Sequence, residues 1–239
     1  MVAAGAIALV LAGCGNFERP SMGAPAPPPT TTTTAVPFRL VAQVKPDLKA
    51  IDVFDAPDAP APKMQLSNPN REGVARVFLL DGGQGSPWLN VDLPVRPNGS
   101  KGWIKSDDVN LSVDYWQVRV ELGAHRITVW NGADVVHTEP VGVGTAASPT
   151  PPGEYYITEA LTVPSFQYSA YGPYAFGTSA FSRVLYHFGG GPGQIGIHGT
   201  DEKGSIGHSV SHGCIRLRNR DIVRLAHLLP LGTPITIVD

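Results

Sequence analysis

The chain is poor in cysteine and in charge, and both shortages narrow what it can be. Its 239 residues include only two cysteines, Cys14 and Cys214, so a scaffold held together by several disulfides is excluded. Charged residues make up 16% of the chain and the formal net charge is −2, without a long basic run, so we expect no nucleic-acid partner. No apolar run reaches the roughly 18 residues that a membrane-spanning helix needs.

The N-terminus has a shorter apolar segment, residues 3–12, which ends in Leu11-Ala12-Gly13-Cys14. A brief apolar run followed by small residues is typical of a secretory signal. The small residues before the cysteine resemble the lipobox of bacterial lipoproteins, in which that cysteine is lipidated and becomes the mature N-terminus. We therefore expect residues 1–14 to be a signal peptide and Cys14 to anchor the protein to the membrane, facing the cell wall. No Lys or Arg precedes the run, so we expect the native start to lie upstream. The alternative to a signal peptide is that the run forms an N-terminal strand or helix of a cytosolic domain.

Residues 15–37 are rich in proline and threonine and contain almost no apolar bulk. Such a segment cannot fold alone and is typical of a stiff, extended linker. Fully extended, it could span on the order of 70 Å. That length would lift a domain from a membrane surface toward a wall layer.

Residues 38–112 alternate short apolar stretches with turn residues, a pattern that predicts a small β-barrel or sandwich. The stretches are 40–44, 51–54, 74–80, 88–93 and 103–104. The run Trp88-Leu89-Asn90-Val91, followed by Gly102-Trp103-Ile104, resembles the small SH3-like barrels of bacterial envelope proteins. We find no catalytic constellation in this segment.

Residues 113–239 predict a second β-rich unit with one clear helix. Asn131-Gly132 between apolar runs is a strong hairpin signal. A helix is predicted over 219–229, with Asn219 as its N-cap and with apolar residues at helical spacing. The predicted strands are 118–122, 126–130, 135–136, 154–158, 184–188, 194–198 and 235–238.

If Cys14 carries lipid, Cys214 is the one thiol left and cannot form an internal disulfide. A lone thiol in an oxidising compartment needs an explanation, either as a buried structural cysteine or as a nucleophile. A thiol becomes a good nucleophile when a nearby histidine takes its proton. His212 is two residues away, and His198 ends the predicted strand that contains Gly196, whose missing side chain leaves an open surface. Spacing alone does not choose between the two histidines.

A longer pattern around these residues resembles one known family. His198-Gly199-Thr200, then Ser211-His212-Gly213-Cys214-Ile215-Arg216-Leu217 and Asn219, resemble the catalytic domain of L,D-transpeptidases of the YkuD type. Glycine and proline pieces at 141–145, 149–153 and 171–173 support the resemblance, which covers about residues 115–239. It implies a mainly β catalytic domain at 113–239, behind an SH3-like domain at 38–112, in an actinobacterial-like lipoprotein.

The resemblance implies a cysteine acyltransferase that cross-links peptidoglycan stem peptides in cell-wall biogenesis. Cys214 would be the nucleophile and His198 the general base, with the Gly199 carbonyl orienting the His198 ring. Donor and acceptor stem peptides would be the substrates, and β-lactams of the carbapenem type would be covalent inhibitors. No metal or other cofactor is implied.

The remaining roles also follow from the resemblance. Backbone amides around His212, Gly213 and Cys214 would hold the oxyanion, and Ser211 would organise the turn. Tyr171 would lie on a lid over the donor peptide. Arg216 would anchor the loop or meet a substrate carboxylate, and the sequence leaves both open.

Other functions compete with this interpretation. Histidines 198, 208 and 212 together with Cys214 are ligand types suited to zinc, although no second cysteine supports a structural site. A wall-binding lipoprotein with an inert site is another class. Closer alternatives share the Cys–His chemistry: an L,D-carboxypeptidase if water is the acceptor, and attachment of a protein to peptidoglycan if a protein amine is.

Overall fold

The computed structural model describes residues 37–164 and 168–239, and over these ranges the prediction of a mainly β protein is confirmed. The predicted signal peptide, the lipidation site at Cys14 and residues 15–36 of the predicted linker lie outside the described residues. The helices are α1 (Tyr168–Tyr171) and α2 (Asn219–Ala226). The strands are β1 (Arg39–Val44), β2 (Ala50–Val53), β3 (Met64–Ser67), β4 (Val77–Gly82), β5 (Trp88–Asp92), β6 (Lys101–Lys105), β7 (Val109–Asp114), β8 (Trp116–Glu121), β9 (Arg126–Asn131), β10 (Asp134–Pro140), β11 (Val143–Gly144), β12 (Gly153–Thr162), β13 (Tyr174–Phe181), β14 (Gln194–Thr200), β15 (Ser209–Ser211), β16 (Ile215–Arg218) and β17 (Pro234–Val238). None of the described helices is long and apolar enough to cross a membrane.

The first sheet is antiparallel and has the order β6-β5-β4-β1-β7. In β5 and β6 every second side chain is buried, as in β5, where Leu89 and Val91 face the core, whereas β4 buries four successive residues. The β2–β3 hairpin joins this sheet through a bridge between Phe54 and Trp103. Together they enclose a core around Phe78 and Ile104, both fully buried.

The second sheet has the order β10-β9-β8-β17-β12-β13-β14-β16. The predicted hairpin at Asn131-Gly132 is confirmed: β9 and β10 pair antiparallel around it, and Gly132 has a φ of +60°. Two pairs are parallel, β8 with β17 and β14 with β16. Helix α2 buries Ile222 and Leu225 against the main core of this sheet, which its amphipathic spacing predicted.

The two sheets meet through a small apolar contact. Val41 and Leu79 of the first sheet pack against Tyr156 of β12, whose hydroxyl donates to the Asp92 carbonyl at 3.0 Å. Gly232, which has a φ of +91°, lies so close that a Cβ there would come within 2.3 Å of a Val41 methyl group. The close approach of the sheets therefore needs glycine at this position.

Two local predictions are wrong. Residues 184–188 are not a strand but part of the loop 182–193 between β13 and β14, and there Val184 and Tyr186 are 48% and 63% exposed. The apolar alternation of these residues predicted a strand, but their side chains have no neighbouring strand of a sheet to pack on. Asn219 is not the N-cap of α2: that position is Arg218, and the Asn219 side chain donates instead to Asp201 at 2.8 Å.

Candidate active site

Strand pairing brings Cys214 against the strand that contains His198. In the parallel pair β14–β16, Ile197 lies opposite Ile215, so Cys214, just before β16, faces Gly196. The backbone N–H of Gly196 donates to Cys214 Sγ at 3.3 Å. A main-chain donor that points at sulfur stabilises a thiolate when one forms.

His198 lies next to the same glycine and is buried, with 4% of its surface exposed. Its Nδ1 is 2.7 Å from the Gly199 carbonyl oxygen, which can only accept, so Nδ1 bears the ring proton and Nε2 is free to act as a base. Cys214 Sγ and His198 Cδ2 each lie 3.9 Å from the point where a Cβ on Gly196 would stand. The bare face of Gly196 therefore leaves open the space between thiol and imidazole.

The turn before Cys214 is fixed by side-chain hydroxyls. Ser211 Oγ donates to the Cys214 carbonyl at 2.6 Å and accepts from the Gly213 amide at 3.1 Å. Ser148 Oγ donates to the His212 carbonyl, and Thr150 Oγ1 donates to the Gly213 carbonyl, both at 2.7 Å. The carbonyls of three successive residues, 212 to 214, are thus each held by a side-chain hydroxyl.

A cavity of about 480 Å³ opens over this pair and is lined by both Cys214 and His198. Tyr171, at the end of α1, also lines it and sets its ring edge-on to the His198 ring, with centroids 5.0 Å apart. Phe188 also lines the cavity and stacks on the exposed His212 ring, with centroids 5.1 Å apart. The structure therefore brings Tyr171, His198 and Cys214 together and places the His212 side chain outside the cavity lining.

Arg216 lies beside His198 in the β14–β16 register, and its guanidinium pairs with Glu202. It is not among the residues that line the cavity. His208 is exposed. Within the described ranges, no three side chains of His, Cys, Asp or Glu are gathered as a metal ion would need.

Burial determines the protonation states of Cys214 and His198. It raises the pKa of the Cys214 thiol above its ordinary value, although the Gly196 N–H and the positive charge of Arg216 act in the opposite direction. Burial also lowers the pKa of His198 to about 4; the hydrogen bond to Gly199 acts to raise this pKa, and the positive charge of Arg216 lowers it further. Near neutral pH the pair is therefore a thiol beside a neutral imidazole.

Sequence reasoning missed the residues that support this pair. The Gly196 amide has no sequence signal, because any residue but proline has the same N–H. Ser148 and Thr150 lie in or beside the segment 149–153, noted only as part of a family resemblance. Gln194, on the same strand face as His198, donates to the buried carboxylate of Glu159 at 2.7 Å and so ties β14 to β12.

Comparisons with known proteins agree on one family. The family model described as the L,D-transpeptidase catalytic domain, YkuD, matches residues 116–237. A putative L,D-transpeptidase YkuD of Bacillus subtilis is 37% identical over 122 residues, 51% of this chain and 65% of the relative, so the match spans just under two thirds of that protein. Its namesake in Bacillus licheniformis is 32% identical over 158 residues, 66% of this chain and 79% of the relative. The solved L,D-transpeptidase from Mycobacterium smegmatis superposes with a TM-score of 0.43 at 19% identity, over 85% of this chain and 100% of that one.

A neutral pair predicts how the thiol titrates. We expect the ultraviolet absorbance of a Cys214 thiolate to be missing near pH 7 and to appear only above the ordinary thiol value of 9.0, because burial raises the pKa. The signal is the difference between the parent protein and Cys214→Ser, which removes any contribution of Cys14. A pH–rate profile would not decide, because an ion pair and a neutral pair contain the same number of protons. A Cys214 thiolate already formed at pH 7 would contradict the assignment.

Proposed function

Because the chain belongs to the YkuD-type L,D-transpeptidase family, we propose that it cross-links peptidoglycan stem peptides through a thioacyl-enzyme on Cys214. The observation that supports this most is the shared cavity: Cys214 and His198 line it together, on either side of the bare face of Gly196. A nucleophile and a base within one cavity, with the base oriented by a third group, are what covalent acyl transfer needs. Here the third group is the Gly199 carbonyl.

In the first step, Cys214 Sγ attacks the carbonyl carbon of the L,D bond near the end of a tetrapeptide stem. The thiol proton passes to His198 Nε2, because the resting imidazole is neutral and its Nδ1 proton is held by Gly199. The carbon–nitrogen bond then breaks, and His198 returns the proton to the leaving amine of D-alanine. A thioester on Cys214 remains.

The negative oxygen of the tetrahedral intermediate falls to the backbone amides around Cys214. The Gly213 amide already donates to Ser211 Oγ, so we assign the larger share to the Cys214 amide. Loss of one such donor raises the barrier by about 3 kcal/mol in other enzymes. The hydroxyls of Ser148 and Thr150 bond to the neighbouring carbonyls of His212 and Gly213 and so fix the backbone whose amides would face the oxyanion.

In the second step, an amine on a neighbouring stem attacks the thioester and gives its proton to His198. The amide bond forms, the carbon–sulfur bond breaks, and the thiol is restored. Water in place of the amine gives carboxypeptidase action, and a protein amine gives an attached protein. All three acceptors share the first step, so that step is tested separately from the acceptor.

The proposal assigns the base to His198 and not to His212. We expect His198→Ala to slow formation of the Cys214 adduct by about 100- to 10,000-fold, the usual share of a general base. His212→Ala is the matched control and should keep a rate close to that of the parent at saturating donor, because this ring is exposed and does not itself line the cavity, although the Phe188 ring on which it stacks does. Cys214→Ala should form no product.

The assay incubates each variant with a defined tetrapeptide stem and an amine-bearing acceptor stem, and separates the products by mass spectrometry. A cross-linked dimer supports transpeptidation, whereas a tripeptide alone supports the carboxypeptidase. Equal loss of rate in His198→Ala and His212→Ala would contradict the assignment of the base. Cross-linking by Cys214→Ala would contradict the assigned nucleophile.

We also propose that the protein works outside the cytoplasm, anchored through lipid on Cys14, and that the first sheet with the β2–β3 hairpin is an SH3-like domain. The sequence supports the anchor through Leu11-Ala12-Gly13-Cys14 and the extended segment that follows. The Cys214 thiol can attack the carbonyl of the strained β-lactam amide of a carbapenem, which opens the ring and leaves the inhibitor bound as a thioester. We therefore propose carbapenems as covalent inhibitors.

The anchor predicts where the protein is found. In a bacterial host, the full chain should sediment with membranes and incorporate a labelled fatty acid. Cys14→Ala should lose the label and leave the membrane fraction, because the lipid is proposed to be attached through the sulfur of this one cysteine. Label retained in Cys14→Ala, with unchanged sedimentation, would overturn the proposed anchor.

A further inference from the structure

The loop 182–193 between β13 and β14 forms one wall of the cavity. Phe188, Gly189, Gly191 and Pro192 line the same cavity as Cys214 and His198. The roles proposed above use none of these four residues. A wall of the cavity that contains the nucleophile is nevertheless where a donor peptide must be held if its carbonyl is to reach sulfur.

This loop has little regular structure of its own. Its backbone has a small bridge between Phe188 and Gly191, with hydrogen bonds of 3.1 and 2.9 Å. Three of its glycines, 189, 190 and 193, have φ between +57° and +81°, and Val184, Tyr186 and Phe188 are exposed. Glycine-rich backbone with exposed apolar side chains loses much entropy on ordering and gains little from burial. Its shape therefore depends on contacts from elsewhere.

Arg96, in the turn between β5 and β6 of the first sheet, supplies such contacts. Its Nη1 donates to the Ser182 carbonyl at 2.5 Å, and its Nη2 donates to the carbonyls of Leu185 at 3.1 Å and Pro192 at 2.9 Å. The guanidinium also lies over the Tyr186 ring at 4.6 Å. One side chain thus binds both ends of the loop.

Two neighbours in the first sheet region reinforce this contact. The Asn98 side chain exchanges two hydrogen bonds of 2.9 Å with the backbone of Phe181, at the end of β13. Arg71 Nη2 donates to the Gly190 carbonyl at 2.8 Å. Contacts from the first sheet region therefore meet the loop at its start, its tip and its end.

We propose that Arg96 is a positioning residue that holds the loop 182–193 as the wall of the donor-peptide site, so that the first sheet completes the active site. The proposal rests on the proposed function for the identity of the donor peptide. Arginine suits the task because its planar fork offers several fixed donors at once, whereas the lysine ammonium is a single point on a flexible stem. Arg96 touches neither substrate nor the reacting atoms; it acts through Phe188 and Pro192.

The test compares the full-length protein with Arg96→Ala and Arg96→Lys. Hydrogen exchange at the amides of Phe188 and Gly191 reports the loop directly, because both are bonded in the structure. We expect Arg96→Ala to speed this exchange by about tenfold or more, the loss typical of hydrogen bonds to a charged group. The KM for a tetrapeptide donor should rise by a similar factor with kcat nearly unchanged, and Arg96→Lys should recover only part of either loss.

Two controls make the role of Arg96 specific. Arg126→Ala removes an arginine of β9 that pairs with Glu121 of β8 at 2.8 Å, near the opposite edge of the second sheet. This variant should change neither the hydrogen exchange of the loop nor the KM for the donor. Alkylation of Cys214 by iodoacetamide should proceed alike in all variants, because the thiol and its partners stay in place. Unchanged loop exchange in Arg96→Ala and Arg96→Lys would overturn the proposal, and so would full recovery by lysine or slower alkylation that matches the loss of donor binding.

The exchange measurement separates this proposal from the proposed function. If the parent protein accepts no tetrapeptide donor, the proposed function fails, while loop exchange in the Arg96 variants still decides whether Arg96 holds the wall. If the parent cross-links stems and the loop is unaffected by Arg96→Ala, the function stands and the positioning role fails.

Discussion

The parallel pairing of β14 with β16 sets the register in which Cys214 meets Gly196, and the other contacts of the candidate site follow from that register. Because Ile197 lies opposite Ile215, Cys214, the residue before β16, faces Gly196, the residue before Ile197. Because that facing residue is a glycine, sulfur approaches the backbone closely enough to accept its N–H. A shift by one residue would turn Cys214 to the other face of the strand and remove it from His198.

Burial couples this geometry to the chemistry. The contacts that hold His198 in place also exclude water from it, so its pKa falls to about 4 and it remains a base at neutral pH. The same exclusion keeps Cys214 protonated, so in the proposed reaction the thiolate forms only when the proton moves to the imidazole. A thiol kept in this form is less readily oxidised, since the thiolate is the reactive species.

Much of this arrangement could be predicted from the sequence, because it follows from local patterns. The hairpin at Asn131-Gly132 and the amphipathic spacing of α2 act within one or two elements, and the structure has both. The loop 182–193 could not be predicted, because its apolar alternation imitates a strand and its shape depends on Arg96 from another sheet. That contact is made to backbone carbonyls, which every residue has. For the same reason, the Gly196 donor leaves no trace in the sequence.

The proposed reaction depends above all on a covalent bond between Cys214 and the acyl group. The most direct measurement mixes the protein with a tetrapeptide stem, stops the reaction with acid within the first turnover, and maps the mass of every peptide. We expect an added tripeptide acyl group on the peptide that contains Cys214, released by hydroxylamine as a thioester is, together with free D-alanine. D-alanine released with no adduct on Cys214, or with the acyl group on another residue, would contradict the proposed reaction.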